Sequence, residues 1–304
     1  MKRTDSTRLP TTSDAGQKRR KKETQLRQVW RHIRKHKLVM AALCVIIALL
    51  LMVALADFIV PYEMAVRQDP ALKLASPSLE HPFGGDALGR DLFARIIHGS
   101  RVTFLLGFGA TIIATTLATF FGASAAYIGG RYDNYLMRFM DMIITIPAIL
   151  LAIAIAAGFG VGIPQLIIAI SIPQTAAVSR VIRSAVLNVV GQEFIEAAKA
   201  IGIGNLSIIF KHIIPNVIGL ILIQATMEAA TNMLMGAALG FLGLGAPIPT
   251  PEWGLIMKDG LQYLRYSYHT VLITTFFLAV TALSINIFGD GLRDALDPRL
   301  KGRA

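Results

Sequence analysis

The sequence predicts an all-α, polytopic membrane protein with six transmembrane helices. Three observations predict it. Hydrophobic residues make up 54% of the 304-residue chain and charged residues only 16%, where a soluble chain carries about 25% charged; mean hydropathy is +0.57. Several runs approach or exceed the ~20 apolar residues that a helix needs to cross a bilayer. The lysines and arginines also gather in alternate connecting segments, the distribution that orients spans with their positive loops inside.

Residues 1–38 read as a cytoplasmic basic tail. Of the 30 Lys+Arg, 13 precede Leu38. Residues 1–17 are polar, without periodicity, and read as disordered. Leu26, Val29, Trp30 and Ile33 then share one helical face, ringed by Arg27, Arg31, Arg34 and Lys35. That pattern predicts a helix lying in the headgroup region and holding anionic membrane lipid. The clustering explains the net charge of +11 without nucleic acid, for which no module appears downstream.

The first span is 39–60. Ala54–Asp57, "ALAD", resembles a cleavage site, but the apolar run exceeds a signal core of about 7–15 residues, so the segment is expected to stay. Cys44 is the one cysteine, which excludes a disulfide within the chain; it is expected to be a buried small apolar side chain. Residues 61–101 form an extracytoplasmic segment. The membrane core is 102–290, with spans at 102–128, 139–158, 161–181, 217–241 and 271–288, a cytoplasmic loop at about 184–214, and a cytoplasmic tail at 291–304. Pro147 is expected to kink the third span. The fourth span holds Pro164, Pro173 and Gln174, and proline is tolerated where neighbours satisfy the freed backbone. Without the fourth span, the basic C-terminal tail would fall outside.

Two spans carry more than hydropathy. In the second, Ala110, Ala114 and Ala118 recur every four residues, as do Thr111, Thr115 and Thr119, with Gly107 and Gly122 extending the small surface. Small residues let helices approach closely in lipid. In the fifth, Gln224, Glu228 and Asn232 form one polar stripe. A mid-bilayer charge costs about 2.5–3.5 kcal/mol on insertion scales, so the stripe faces either a water-filled translocation path or a hydrogen-bonding partner helix. Asp141 and Asn286 are isolated intramembrane polar residues of the same kind.

Catalytic and metal motifs are missing. "GGDALGRD", with Gly84, Asp86, Gly89, Arg90 and Asp91, spaces its glycines like a phosphate loop. It has arginine where the lysine belongs, and no strand leads into it. His32 and His36 lack a third ligand nearby. The chain does not read as an enzyme, and no metal site or cofactor of its own is expected.

The remaining stretch is "EFIEAAKAIGIG" at Glu193 to Gly204. Phe194, Ala197, Ala198 and Ile201 follow the i, i+3, i+4, i+7 spacing of one apolar stripe, with Glu193 and Lys199 in water beside it and Ala200 among the small alanines of the crest. Glu196 is spaced to pair with Lys199. Gly202 and Gly204 allow a reversal. Asn205 is placed to cap a second helix, 206–214, which Pro215 leads into the fifth span. Such an elbow either docks into another protein or rests on its own bundle.

Glu196-Ala197-Ala198, Gly202 and Pro215 resemble the EAA-x3-G-x9-I-x-L-P coupling loop of ATP-driven importer permeases, with His212 and Ile214 departing from the pattern. "HPFGGDALGRDLFARIIHGSR" at 81–101, "GFLGLGAPIPTPEWG" at 240–254 and "GDGLRDALDPRLKG" at 289–302 resemble one subgroup, the C-type permeases of dipeptide/oligopeptide systems. The resemblance implies a type I ABC importer (MetI-like) permease fold in a bacterial or archaeal cytoplasmic membrane, with both termini cytoplasmic. It implies a heterodimer with a second permease, two ATPase subunits that hold ATP and Mg and grip the coupling helices, and an extracytoplasmic substrate-binding protein. Dipeptides or oligopeptides are the implied cargo, with nickel chelates, glutathione or other small solutes as alternatives. The buried Glu228 motivates a different class, an ion-coupled secondary carrier.

Overall fold

The computed structural model describes Trp30, residues 33–160 and 162–296. Leu26 and Val29 of the expected interfacial helix, and the tail from 297, lie outside the described residues. Of that helix, Trp30 is exposed and Ile33 is buried.

The described residues are helical almost throughout. Helix α1 is Lys37–Ala54, followed by the short α2 (Ala56–Ile59) and α3 (Tyr62–Val66). The central column is α4, Leu92–Ile128. Its 37 residues reach about 55 Å at 1.5 Å per residue, well beyond a ~30 Å hydrocarbon core. The helix that carries the second span therefore starts at Leu92, within the 61–101 segment. Asp91 fixes that start, its Oδ1 accepting the Ala94 N–H at 2.8 Å. Gly129, at φ +67°, ends the helix.

The small-residue face of α4 is buried as its spacing predicts. Ala110, Ala114 and Ala118 are fully enclosed. A Cβ on Gly122 would come within 2.6 Å of the Ser179 carbonyl, and one on Gly107 within 3.0 Å of Met233 Cβ. These contacts belong to α7 (Ile163–Val190) and α10 (Ile214–Leu239), the two helices that pack most closely on the column. Pro173 sits inside α7. Around it Ser171 donates to the Ile168 carbonyl and Thr175 to the Ser171 carbonyl, at 3.0 and 2.8 Å.

The third crossing differs from expectation. It is a bent pair, α5 (Gly130–Ile144) and α6 (Ala148–Phe159), meeting at 88°. Pro147 removes a backbone donor and pushes the preceding residue out of helical geometry. Five described helices are long and apolar enough to cross a membrane, or six with this pair counted as one span. Parity requires the pair to travel back. Val102 and Leu106 cluster with Leu166 and Ile170, while Ala118 and Ala123 cluster with Val178 and Ile182. Helices α4 and α7 are thus parallel, and the chain between them must return. Arg183 ties α5 to α7, its Nε and Nη2 donating to Asp133 at 2.6 and 2.5 Å. Arg180 pairs with Asp141, Nε to Oδ1 at 2.9 Å, so Asp141 is an ion-pair partner rather than an isolated intramembrane acid.

After α7 come α8 (Glu193–Ala200) and α9 (Asn205–Ile208). A π-helical turn, Ile209–Ile213, joins α9 to α10 without a break. A second π turn (Gly240–Leu244), α11 (Trp253–Leu261) and α12 (Tyr268–Leu296) complete the chain. The start of α1 packs against the end of α12, where a Cβ on Gly291 would lie 2.5 Å from Val39. At its other end α1 is stapled to the column. Arg101 donates from both terminal nitrogens to Asp57, at 3.1 and 2.8 Å, and from Nε to the Val53 carbonyl. The "ALAD" aspartate is thus a strut between two spans. Cys44 is exposed on α1, a correction to the expected burial: α1 buries only Val39, Ala42 and Leu49, because it packs along one edge of the bundle.

Candidate functional site

Helix α8 is anchored from below. Ile195 is 0% exposed and Ala198 is nearly so; both join a cluster with Val178, Ile182, Ile208 and Ile213. The expected stripe is therefore split. Ala198 faces the bundle, whereas Phe194, Ala197 and Ile201 face outward, Ile201 at 77% exposure. Glu193, Glu196 and Ala200 are exposed beside them.

The helix ends in a Schellman motif. The Ile203 N–H donates to the Ala198 carbonyl at 3.1 Å and the Gly202 N–H to the Lys199 carbonyl at 3.0 Å. Gly202 holds φ +79°, the left-handed region that this motif requires. Ile203 packs against the cluster containing Ala198, closing the motif with its usual apolar contact.

Two local expectations are corrected. Gly204, not Asn205, is the N-cap of α9. The Asn205 Oδ1 instead accepts the Tyr127 hydroxyl at 3.0 Å. Lys199 does not pair with Glu196 among the described residues; its Nζ sits over the Tyr127 ring, 4.8 Å from the centroid. Pro215 is exposed and lies inside a continuous helix rather than between two. The π turn just before it widens the helix where a proline ring would crowd the preceding turn. Asn216 donates to the His212 carbonyl there at 2.6 Å.

The polar stripe of α10 meets the threonine row of α4. Asn232 is fully buried and donates to Thr111 Oγ1 at 2.9 Å. It makes an interhelical hydrogen bond, whereas Gln224 and Glu228 stay half-buried. Asn232 Oδ1, Glu228 Oε2 and Thr115 Oγ1 are buried without a hydrogen-bond partner among the described residues.

At the opposite end of the column, residues 84–91 form a clasp. Asp86 Oδ1 accepts the N–H groups of Leu88 and Arg90 at 2.8 and 2.9 Å. Its Oδ2 accepts Arg90 Nε at 2.6 Å, and Arg95 Nε lies 3.2 Å away without hydrogen-bond alignment. Arg90 reaches on to Asp259 of α11 at 3.1 Å. His81 Nδ1 lies 2.6 Å from Asp91 Oδ2. Gly84 and Gly89 have φ of +75° and +74°, and Cβ atoms there would come within 2.3 and 2.1 Å of the Ala75 and Asp69 carbonyls. The glycines let two backbones close together; Asp86 and Arg90 answer each other, while Arg95 Nε and Nη2 are buried without a hydrogen-bond partner among the described residues.

Sequence reasoning did not single out Glu252. Its carboxylate is fully buried, capping α11 by accepting the Gly254 and Leu255 N–H groups at 2.6 and 2.9 Å. The "GFLGLGAP" glycines make room for it: a Cβ on Gly240 would lie 2.0 Å from Glu252 Oε2.

Residues 118–302 match the family described as binding-protein-dependent transport system inner membrane component. The chain belongs to this family of transport permeases. The permease also matches, over 24–77, the N-terminal TM domain of oligopeptide transport permease C. It is 41% identical over 275 residues to the dipeptide transport system permease protein DppC of Alkalihalophilus pseudofirmus, covering 90% of each chain. It is 37% identical to the glutathione transport system permease protein GsiD of Escherichia coli, covering 90% of this chain and 91% of that one. A solved structure of the inward-facing MetNI methionine ABC transporter shares its fold, with TM-score 0.54 and 20% identity over 68% of this chain and 98% of that one. The permease is thus an all-helical, multi-pass membrane protein of the MetI type.

Glu252 gives the permease a measurable pH dependence. Burial pushes its carboxyl from an ordinary 4.5 up to about 7, against the pull of the two N–H groups. The folded chain therefore keeps a proton that the unfolded chain has lost. The contribution is complete below about pH 4.5 and is lost as pH rises through about 7; it amounts to about 3 kcal/mol. The thermal midpoint in detergent is expected to fall between about pH 5 and about pH 7.5, and Glu252→Gln to flatten that slope. An unchanged slope in the variant would contradict this.

Proposed function

We propose that this permease is one of two membrane subunits of an ATP-driven importer of di- or oligopeptides, paired with a different permease. The clasp end (84–91 and α11) lies outside, facing a substrate-binding protein. The elbow end, with both terminal segments, lies in the cytoplasm, where positive charge is favoured. Each permease receives one ATPase subunit on its elbow; ATP and Mg belong to those subunits. The supporting observation is α8 itself: a rigidly seated helix whose outward strip, Phe194, Ala197 and Ile201, is apolar and lies beside two carboxylates. Bulky apolar groups held on a short stiff helix suit insertion into a partner's cleft. Half-buried Gln224 and Glu228 are the candidates for the translocation path.

Co-purification tests this. Ala197→Glu with Ile201→Asp is expected to leave membrane insertion intact and to weaken ATPase association at least about tenfold, as for central interface residues. ATPase retained at the wild-type level would overturn the docking role. Competition of labelled dipeptide, longer peptide, glutathione and nickel chelate for uptake by the complete complex decides the cargo; the 37% relative named for glutathione keeps that solute in the comparison. Uptake by this chain alone under an ion gradient would instead favour a secondary carrier.

A further inference from the structure

We propose that Tyr127 is a positioning residue that pins both arms of the elbow to the central column. This rests on the coupling role proposed above. Tyr127 lies in the last turn of α4 and is buried. Its ring carries the Lys199 ammonium at 4.8 Å. Its hydroxyl donates to Asn205 Oδ1 at 3.0 Å. Lys199 belongs to α8, before Gly202; Asn205 opens α9, after it. One side chain therefore touches the arms on both sides of the turn.

The two contacts restrain different things. A cation held over a ring face resists sliding of α8 across the end of the column. The hydroxyl bond fixes where α9 begins, and with it the direction in which the continuous α9–α10 helix enters the bundle. Both Lys199 and Asn205 are exposed, so neither is needed to fill the core. Lys199 also has a carboxylate within reach, Glu196 one turn away, yet it lies on the ring. At 100° per residue, Lys199 sits about half a turn from the strip of Phe194, Ala197 and Ile201. The pin and the docking surface are thus on opposite sides of one helix. A push received on the strip reaches α4 through Tyr127, and α4 is the column on which α7 and α10 both pack. The elbow then moves with the bundle rather than bending at Gly202.

The test uses the full chain and the assembled transporter. The variants are Tyr127→Phe, which keeps the ring and loses the hydroxyl bond, Lys199→Gln, Asn205→Ala, and the Tyr127→Phe/Asn205→Ala and Lys199→Gln/Asn205→Ala pairs. In the purified full chain, amide hydrogen exchange at 199–205 is expected to quicken about threefold to tenfold in Tyr127→Phe and Asn205→Ala, the range for losing one hydrogen bond. Exchange in α1 should not change. Tyr127→Phe combined with Asn205→Ala should be no looser than either alone, because both remove the same bond. In the transporter, ATPase association should stay at the wild-type level. Labelled dialanine moved per ATP hydrolysed should fall about fivefold in the Lys199→Gln/Asn205→Ala pair, which loses both contacts. Unchanged exchange at the elbow overturns the pin. So does a loosened elbow that still moves as much dipeptide per ATP. If the wild-type chain itself holds no ATPase, the proposed function fails instead, and the exchange measurement still decides whether Tyr127 fixes the elbow.

Discussion

Asp86→Ala is expected to cost about 3–5 kcal/mol of stability, the range for removing one partner of a buried ion pair. Asp86, Arg90 and Arg95 are all nearly fully enclosed. The one carboxylate takes two backbone N–H groups, the Arg90 guanidinium and the charge of Arg95. Its removal leaves the two buried guanidinium groups of Arg90 and Arg95 with Asp259 as their shared carboxylate. The expected result is a strongly lowered thermal midpoint in detergent and little intact chain in membranes. Asp86→Ala with Arg95→Met should recover part of the loss, because the second change removes one of the two buried charges and keeps most of the volume. A near-wild-type midpoint for the single variant would show that the clasp is not a structural unit.

Gly202→Val is expected to reduce uptake by more than about tenfold while insertion continues. The cause is backbone conformation. Nothing lies within 4 Å of a Cβ at Gly202, so no clash arises. The position needs φ +79°, which costs an L-residue about 1–2 kcal/mol and suits a β-branched one least. Valine should therefore break the Schellman hydrogen bonds and let α8 run on or swing away. Gly202→Asn, whose side chain tolerates that region, should keep most activity. Uptake and ATPase retention, measured side by side for both variants, check this. Equal activity of the valine and asparagine forms would remove the turn from the mechanism.

Features set by local chemistry were legible in the sequence. The left-handed turn at Gly202 favours glycine above other residues, so "EAAKAIG" announced it. The α4 packing face was legible because a four-residue repeat of alanine has few uses other than close helix contact. The proline break at Pro147 was visible as a kink, although its 88° size was not. Other features turned on partners far away in sequence. Glu196 and Lys199 have helix-pair spacing, but the ring of Tyr127, 72 residues before Lys199, took the lysine. Periodicity grouped Ala198 with Phe194, Ala197 and Ile201; only the floor of Val178, Ile182 and Ile208 turned Ala198 inward. "GGDALGRD" carried glycine spacing that suggested phosphate, whereas its aspartate and arginine answer each other and Asp259.

By itself, the sequence determined the class of protein, the approximate spans, the family resemblance and the place of the elbow. Each follows from hydropathy, charge placement or the conformational needs of single residues, which act over a few positions. The tertiary structure decided which side of each helix is buried, how far α4 and α7 extend, and which groups Asp86, Asn232, Lys199 and Glu252 meet. Those outcomes depend on the crossing of helices distant in the chain. Burial makes an unmet polar group costly, so the final partner is the one that packing brings within reach.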